Sequence, residues 1–263
     1  MDIHALHKQL VTAFSSPSSK PEAVRSLLTK LKIALTEDNL LVPSYATSAS
    51  SSDLVLAREV LEIGAFYSVR IGDISSFDRY VSLLTPFHNS STLPASTHYE
   101  PLLGLCLLRL LSSNQISAFH TLIETLPNAL VNQSKFVQHP VSLERWLMEG
   151  SYSKVWRLSR ETPPQEEYKF FVDLLMDMIR NEIASCEEKA YDQLALRDAA
   201  TLLFFENLDQ VLSFAQSRGW QVHPTTQIVS FTATNAATHS TSIPKKATIA
   251  TNLVFAKELE SIV

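Results

Sequence analysis

Residues 191–231, YDQLALRDAATLLFFENLDQVLSFAQSRGWQVHPTTQIVSF, decide the fold. A short helix is expected from about Leu196. A second follows, with Asn207 as its N-cap and Gly219 just past its end, where glycine takes left-handed backbone at least cost. Trp220–Val222 and Gln227–Phe231 then read as two short strands around HPTT, a polar turn containing Pro224.

Helix, helix, hairpin is the order of a winged-helix domain. Many such domains read nucleic acid, but the charges here argue against it. From Ala190 to Phe231 the cations Arg197 and Arg218 face the anions Asp192, Asp198, Glu206 and Asp209, a net of −2. A helix entering a groove must answer closely spaced phosphates with Lys and Arg, and the second helix offers only Asp209 and Arg218. A winged domain that does not bind nucleic acid has its hairpin edge available for a strand from another chain. That edge is expected at Gln227, Ile228, Val229, Ser230 and Phe231.

Beyond the hairpin, a Thr- and Ala-rich linker falls within residues 232–244. A last helix runs from about Lys245 to the C-terminus. Ile249, Leu253, Ala256, Leu259 and Val263 follow one another at helical spacing and form an apolar stripe. An apolar stripe on a tethered helix needs a partner.

Toward the N-terminus, Pro163 and Pro164 are expected to open the longest helix, ending near Lys189. Phe171, Val172, Leu174, Leu175, Met176, Met178, Ile179 and Ile183 cover more than one of its faces, which predicts a helix between two layers. Residues 1–162 read as a series of short helices joined by turns, in the manner of a helical-repeat stack. Expected breaks are the polar loop at 44–52, an N-cap at Asp53, a turn at Gly72–Asp73, a stop at Pro86 and a loop at 91–97. His139 stands at a helix boundary before Pro140, that helix ends at Gly150, and Ser151 caps the next. The expectation is a mostly α protein in four parts: helical repeats over 1–162, a winged-helix part with its long connecting helix over 163–231, a linker over 232–244 and a C-terminal helix over 245–263.

The chain has 263 residues, 45% of them hydrophobic and 19% charged, and only five glycines, which suits a leucine-rich helical protein. A net charge of −5 opposes general affinity for nucleic acid or anionic membrane. MDIHALHKQL lacks the apolar core of a secretory signal, and LLGLCLL (102–108) is too short to span a bilayer. Cys106 and Cys186 read as buried free thiols. No HExxH, CxxC, GxSxG, GxxxxGK[ST] or GxGxxG occurs. His4 and His7 have no third ligand nearby, and Glu166–Glu167 and Glu187–Glu188 read as solvated helix residues. No catalytic residue, cofactor, metal or small-molecule substrate is expected.

Three blocks identify a family. HPVSLERWLMEGSYSKVW (139–156), preceded by LEIGAFYSVRIGDISSFDRYVSLL (61–84) and followed by FFVDLLMDMIRNEIASCEEKAY (170–191), resembles the PCI-domain non-ATPase lid subunits of the 26S proteasome regulatory particle. The resemblance runs in order from about residue 55 to the C-terminal ELESIV. Relatives of this family occur in the signalosome and in translation initiation factor 3. The resemblance implies helical repeats fused to a winged helix, and a non-enzymatic scaffold supporting ubiquitin-dependent protein degradation in cytoplasm and nucleus. It implies other lid subunits as partners, through side-by-side winged helices and a bundle of C-terminal helices. Gln227–Phe231 would belong to the wing, and Ile249 to Val263 to the bundle.

Overall fold

Ten helices precede the first strand among the described residues, which in this computed structural model are 3–15, 21–41, 50–90, 93–161, 163–223, 226–231 and 245–261. They are α1 (Ile3–Ser15), α2 (Pro21–Glu37), α3 (Ser51–Ile71), α4 (Ile74–His88), α5 (Tyr99–Ser112), α6 (Ile116–Glu124), α7 (Asn128–Gln133), α8 (Lys135–Met148), α9 (Tyr152–Arg160) and α10 (Tyr168–Ala190). The chain is mostly helical with one small sheet, as expected, and divides into two units, Met1–Asn181 and Glu182–Val263.

In the first unit α1 to α9 pack chiefly on near neighbours in sequence: α1 on α2 and α3, α3 on α4, α5 on α6 and α8, and α8 on α7 and α9. Local chemistry sets the breaks. Gly72 takes φ 81° and closes α3, and the Asp73 carboxylate opens α4 by accepting the Ser76 N–H at 3.1 Å. Hydrogen bonds from Ser76 and Ser75 hold the Asp73 carboxyl at about 2. The cap of α3 is Ser50, whose hydroxyl accepts the Asp53 N–H at 3.3 Å, so Asp53 lies within the first turn and does not cap it. Pro86 does not end α4, which continues to His88.

The core of this unit gathers around α5, with Leu102, Leu103, Leu105, Leu107, Leu108 and Leu111 buried. Gly104 lies under the ring of Tyr168, and a Cβ there would collide with the Tyr168 hydroxyl. That hydroxyl donates to the Pro101 carbonyl at 3.0 Å and also lies 3.4 Å from the Phe136 carbonyl. The second contact explains a departure from expectation. α8 begins at Lys135, so Pro140 lies inside it and not at its start. A helical proline leaves the carbonyl four residues earlier without its N–H. Here that carbonyl belongs to Phe136, and Tyr168 reaches it.

α10 also differs from expectation. It starts at Tyr168, after Pro163 and Pro164, and it does not run between layers within the first unit. Tyr168, Phe171, Val172, Leu175, Met176 and Ile179 are buried along one side, while Asp173 and Asp177 are exposed on the other. Glu167 is not solvated either. It is buried at 6% exposure and takes Arg70 through Nε at 3.0 Å and Nη2 at 2.9 Å.

The second unit contains β1 (Gln193–Ala195), α11 (Leu196–Leu202), α12 (Leu208–Arg218), β2 (Gln221–His223) and β3 (Ile228–Ser230), followed by α13 (Lys245–Glu260). The sheet order is β1-β3-β2, antiparallel throughout, with Val229 opposite both Leu194 and Val222. β1 had no signal in the sequence, because a three-residue strand carries too little alternation to detect. Gly219 takes φ 76° and ends α12 as expected. Ala184, Leu196, Ala199, Leu203, Val211, Ala215, Trp220, Val229 and Phe231 form the core, with Trp220 edge-on to Phe231 at 4.9 Å.

Candidate assembly surfaces

The two surfaces expected from the sequence fare differently. Gln227–Phe231 does not form a free edge. β3 lies between β1 and β2, so its backbone is engaged on both sides. Val229 is fully buried and Phe231 is 9% exposed, both within the core. Gln227 is a turn residue at φ 52°, donating its N–H to the His223 carbonyl at 3.0 Å and accepting the Leu196 N–H at 2.8 Å. Only Gln227 is exposed, while Ile228 and Ser230 are half-buried. The reason is β1, whose pairing with β3 makes β1 and β2 the outer strands of the sheet among the described residues. On β2, Gln221 and His223 are exposed and Val222 half-buried.

α13 is a helix that its own sequence supports poorly. Lys245 and Lys246 stand at its N-terminus and Glu258 and Glu260 near its C-terminus, opposite to the preference of the helix dipole. Thr248, Ile249, Thr251 and Val254 add β-branched residues of lower helix propensity. Every residue of α13 whose side chain is described is exposed, including Ile249 (59%), Leu253 (66%), Phe255 (63%) and Leu259 (52%). At about 100° per residue, Ile249, Leu253, Ala256 and Leu259 fall within an arc of roughly 120°. Phe255 adjoins that arc and Val254, also exposed, lies across from it. Val263, the fifth residue of the expected stripe, lies outside the described residues.

Among the described residues no three His, Cys, Asp or Glu side chains gather as a metal site would require. A cleft of about 600 Å³ lies between α8, α9 and the start of α10, and it holds both His139 and Ser159. The Ser159 hydroxyl donates to the Trp156 carbonyl at 2.8 Å, as helical serines commonly do, and no bond joins it to His139. His4 and His7 lie 3.9 Å from Asp53 and 3.2 Å from Glu59. Burial pushes the Cys106 thiol up to about 12, which keeps it unreactive, whereas Cys186 is exposed, contrary to expectation. Among the described residues, no helix is long and apolar enough to cross a membrane.

Sequence reasoning missed Glu187. It is 4% exposed, and neither carboxylate oxygen has a hydrogen-bond partner among the described residues. Burial, with the neighbouring Glu188 charge, pushes its carboxyl up to about 7. Glu188 itself accepts the Trp220 indole N–H at 2.7 Å and lies 3.7 Å from Arg218. Adjacent glutamates thus meet opposite surroundings, one in the core and one at its rim, which a pair of identical letters does not reveal.

The sequence profile of the CSN8/PSMD8/EIF3K family matches residues 97–240. The 26S proteasome regulatory subunit rpn12 of Schizosaccharomyces pombe is 38% identical over 201 residues, covering 76% of this chain and 72% of the relative. RPN12 of Saccharomyces cerevisiae is 35% identical over 224 residues, covering 82% and 81%. The 26S proteasome non-ATPase regulatory subunit 8 homolog A of Arabidopsis thaliana is 35% identical over 244 residues, covering 90% and 89%. These agree with the resemblance carried by the 61–84, 139–156 and 170–191 blocks. The chain belongs to the CSN8/PSMD8/EIF3K family and, within it, groups with the Rpn12-type regulatory subunits of the 26S proteasome.

Proposed function

We propose that this chain is a non-enzymatic structural subunit of the proteasome regulatory particle lid, supporting ubiquitin-dependent protein degradation in cytoplasm and nucleus. Its partners are other lid subunits with PCI domains, joined through their winged helices and C-terminal helices. The observation that carries the assembly part is α13, an intrinsically weak helix with its large apolar side chains exposed. Apolar residues on more than one side suit a helix enclosed in a bundle better than one lying on a flat surface. Burying three or four such side chains contributes on the order of several kcal/mol before ordering costs.

The β1-α11-α12-β2-β3 order and its three-stranded sheet support a winged helix for the second unit. The neighbour-on-neighbour packing of α1 to α9 supports helical repeats for the first. A side-by-side winged-helix contact would use the β2 edge at Gln221–His223, since β3 has no edge to offer.

The test is deletion of residues 245–263. The truncated chain is expected to remain folded by circular dichroism, because the core of the second unit ends at Phe231, and to be absent from purified regulatory particles. Co-sedimentation at the level of the full chain would overturn the role of α13. Recovery of the intact chain with signalosome or initiation-factor subunits, identified by mass spectrometry, would overturn the choice of complex.

A further inference from the structure

α9 carries Lys154, Arg157 and Arg160 and no acidic residue, in a chain of net charge −5. Val155, 1% exposed, marks its inward side, and at about 100° per residue Ser153, Arg157 and Arg160 project oppositely, all exposed. Arg157 has no carboxylate partner among the described residues. Lys154 lies 3.6 Å from Glu149, which also holds Arg145 at 3.1 Å. On the flank, two guanidinium groups approach the Trp156 ring, Arg160 at 4.5 Å and Arg180 at 5.7 Å from its centroid. Arg180 is itself 2.9 Å from Asp177. Tyr152, the first residue of the same helix, and Met148, the last of α8, are 37% and 64% exposed and add apolar surface. At its end Arg160 and Lys169 line the cleft, where Glu161 and Glu166 oppose them.

We propose that the outward face of α9, from Tyr152 to Arg160, docks an acidic segment of a partner protein. Arg157 takes a carboxylate of that segment, and Tyr152, on the flank more than a turn earlier, takes an apolar side chain. Arginine suits this role because its planar fork matches a carboxylate and because it stacks on aromatic rings. Charge complementarity selects the partner, and the flanking anions limit its extent. Glu149, Glu161 and Glu166 bracket the cations, so a peptide bearing a few acids fits where an evenly charged phosphate backbone would be repelled at both ends. The face is distinct from α13 and the β2 edge, and its test does not depend on the lid reading.

The probe is a fluorescein-labelled peptide of about twelve residues alternating Glu with Leu and Phe, titrated with the full chain and read by fluorescence anisotropy. Saturable binding that weakens with added salt is expected. Arg157→Glu should weaken it about tenfold or more, and Arg157→Gln by less. Both variants alter an exposed side chain, and an unchanged thermal midpoint will show that they fold. The same peptide with Gln for Glu should not bind. Three results would overturn the proposal: no saturable binding of the acidic peptide, equal binding by Arg157→Glu, or equal binding of the Gln peptide. Tighter binding of an oligouridine of the same length would overturn it in favour of RNA.

Discussion

At the scale of single residues, Gly104 and Tyr168 fix the centre of the first unit. The Tyr168 hydroxyl lies over Gly104 while donating to the Pro101 carbonyl, and burial drives its ionisation well above the ordinary tyrosine range. Gly104→Ala is therefore expected to be destabilising by about 1–3 kcal/mol, because the added methyl must displace a hydrogen-bonded ring. Urea denaturation will measure it, and an unchanged midpoint would mean that the ring moves without loss. Tyr168→Phe in the same background should recover only part of the loss, since it removes the nearest colliding atom but leaves the Phe136 carbonyl and the ring in the way. Neither residue announces its role in sequence. A glycine in a leucine-rich helix reads as a mild defect, and only the packed structure shows what lies over it. Glu167 and Glu187 were hidden similarly, because burial is set by residues distant in sequence, such as Arg70, 97 positions from Glu167.

At the scale of elements, α13 offers the sharpest test. Leu253 lies in the middle of the stripe and Val254 across from it, both exposed. Leu253→Asp is expected to remove the chain from regulatory particles, or to reduce its share there about tenfold or more, since a buried unpaired carboxylate costs several kcal/mol. Lys257→Asp, a residue off the stripe, should have much less effect. Co-purification of the two variants gives the comparison, and equal incorporation would show the stripe to be misplaced. Helices with strong periodicity and glycine stops were legible: α5, α12 closed by Gly219, and the Gly72–Asp73 break between α3 and α4. Proline was the poorest guide. Pro86 and Pro140 lie inside helices, and Pro163 and Pro164 precede theirs; at Pro140 a tertiary partner, Tyr168, reaches the carbonyl that proline leaves open. The stripe of α13 came from spacing alone, and its described residues are exposed as a docking role would require. The assignment of an edge to 227–231 failed because the strand that covers it, β1, is three residues long and distant in sequence.

At the scale of the whole molecule, the two units carry buried titrating groups of opposite sense. In the first, burial, with the charge of Arg58, lowers His88 to about 4. Between pH 6.5 and 4 the unfolded chain then binds a proton that the folded unit does not, so stability falls as pH falls through that window. In the second, Glu187 is raised to about 7 from an ordinary 4.5. There the folded unit keeps a proton that the unfolded chain releases, so stability falls as pH rises from 4.5 to 7 and stays low above it. Trp146 and Trp156 lie in the first unit and Trp220 in the second. With Trp146 and Trp156 changed to Phe, the melting midpoint reported by Trp220 should drop by a few degrees between pH 5 and pH 8. Glu187→Gln should flatten that drop, and a drop that persists would assign it to another group. One further consequence belongs to the middle strand. β1 precedes α11 and β2 follows α12, yet each finds its only strand partner among the described residues in β3. The second unit is thus closed by the three residues of its last strand, like an arch awaiting its keystone. A chain cut after Phe231 retains the means to fold, whereas one cut a few residues earlier leaves two strands with nothing to hold them.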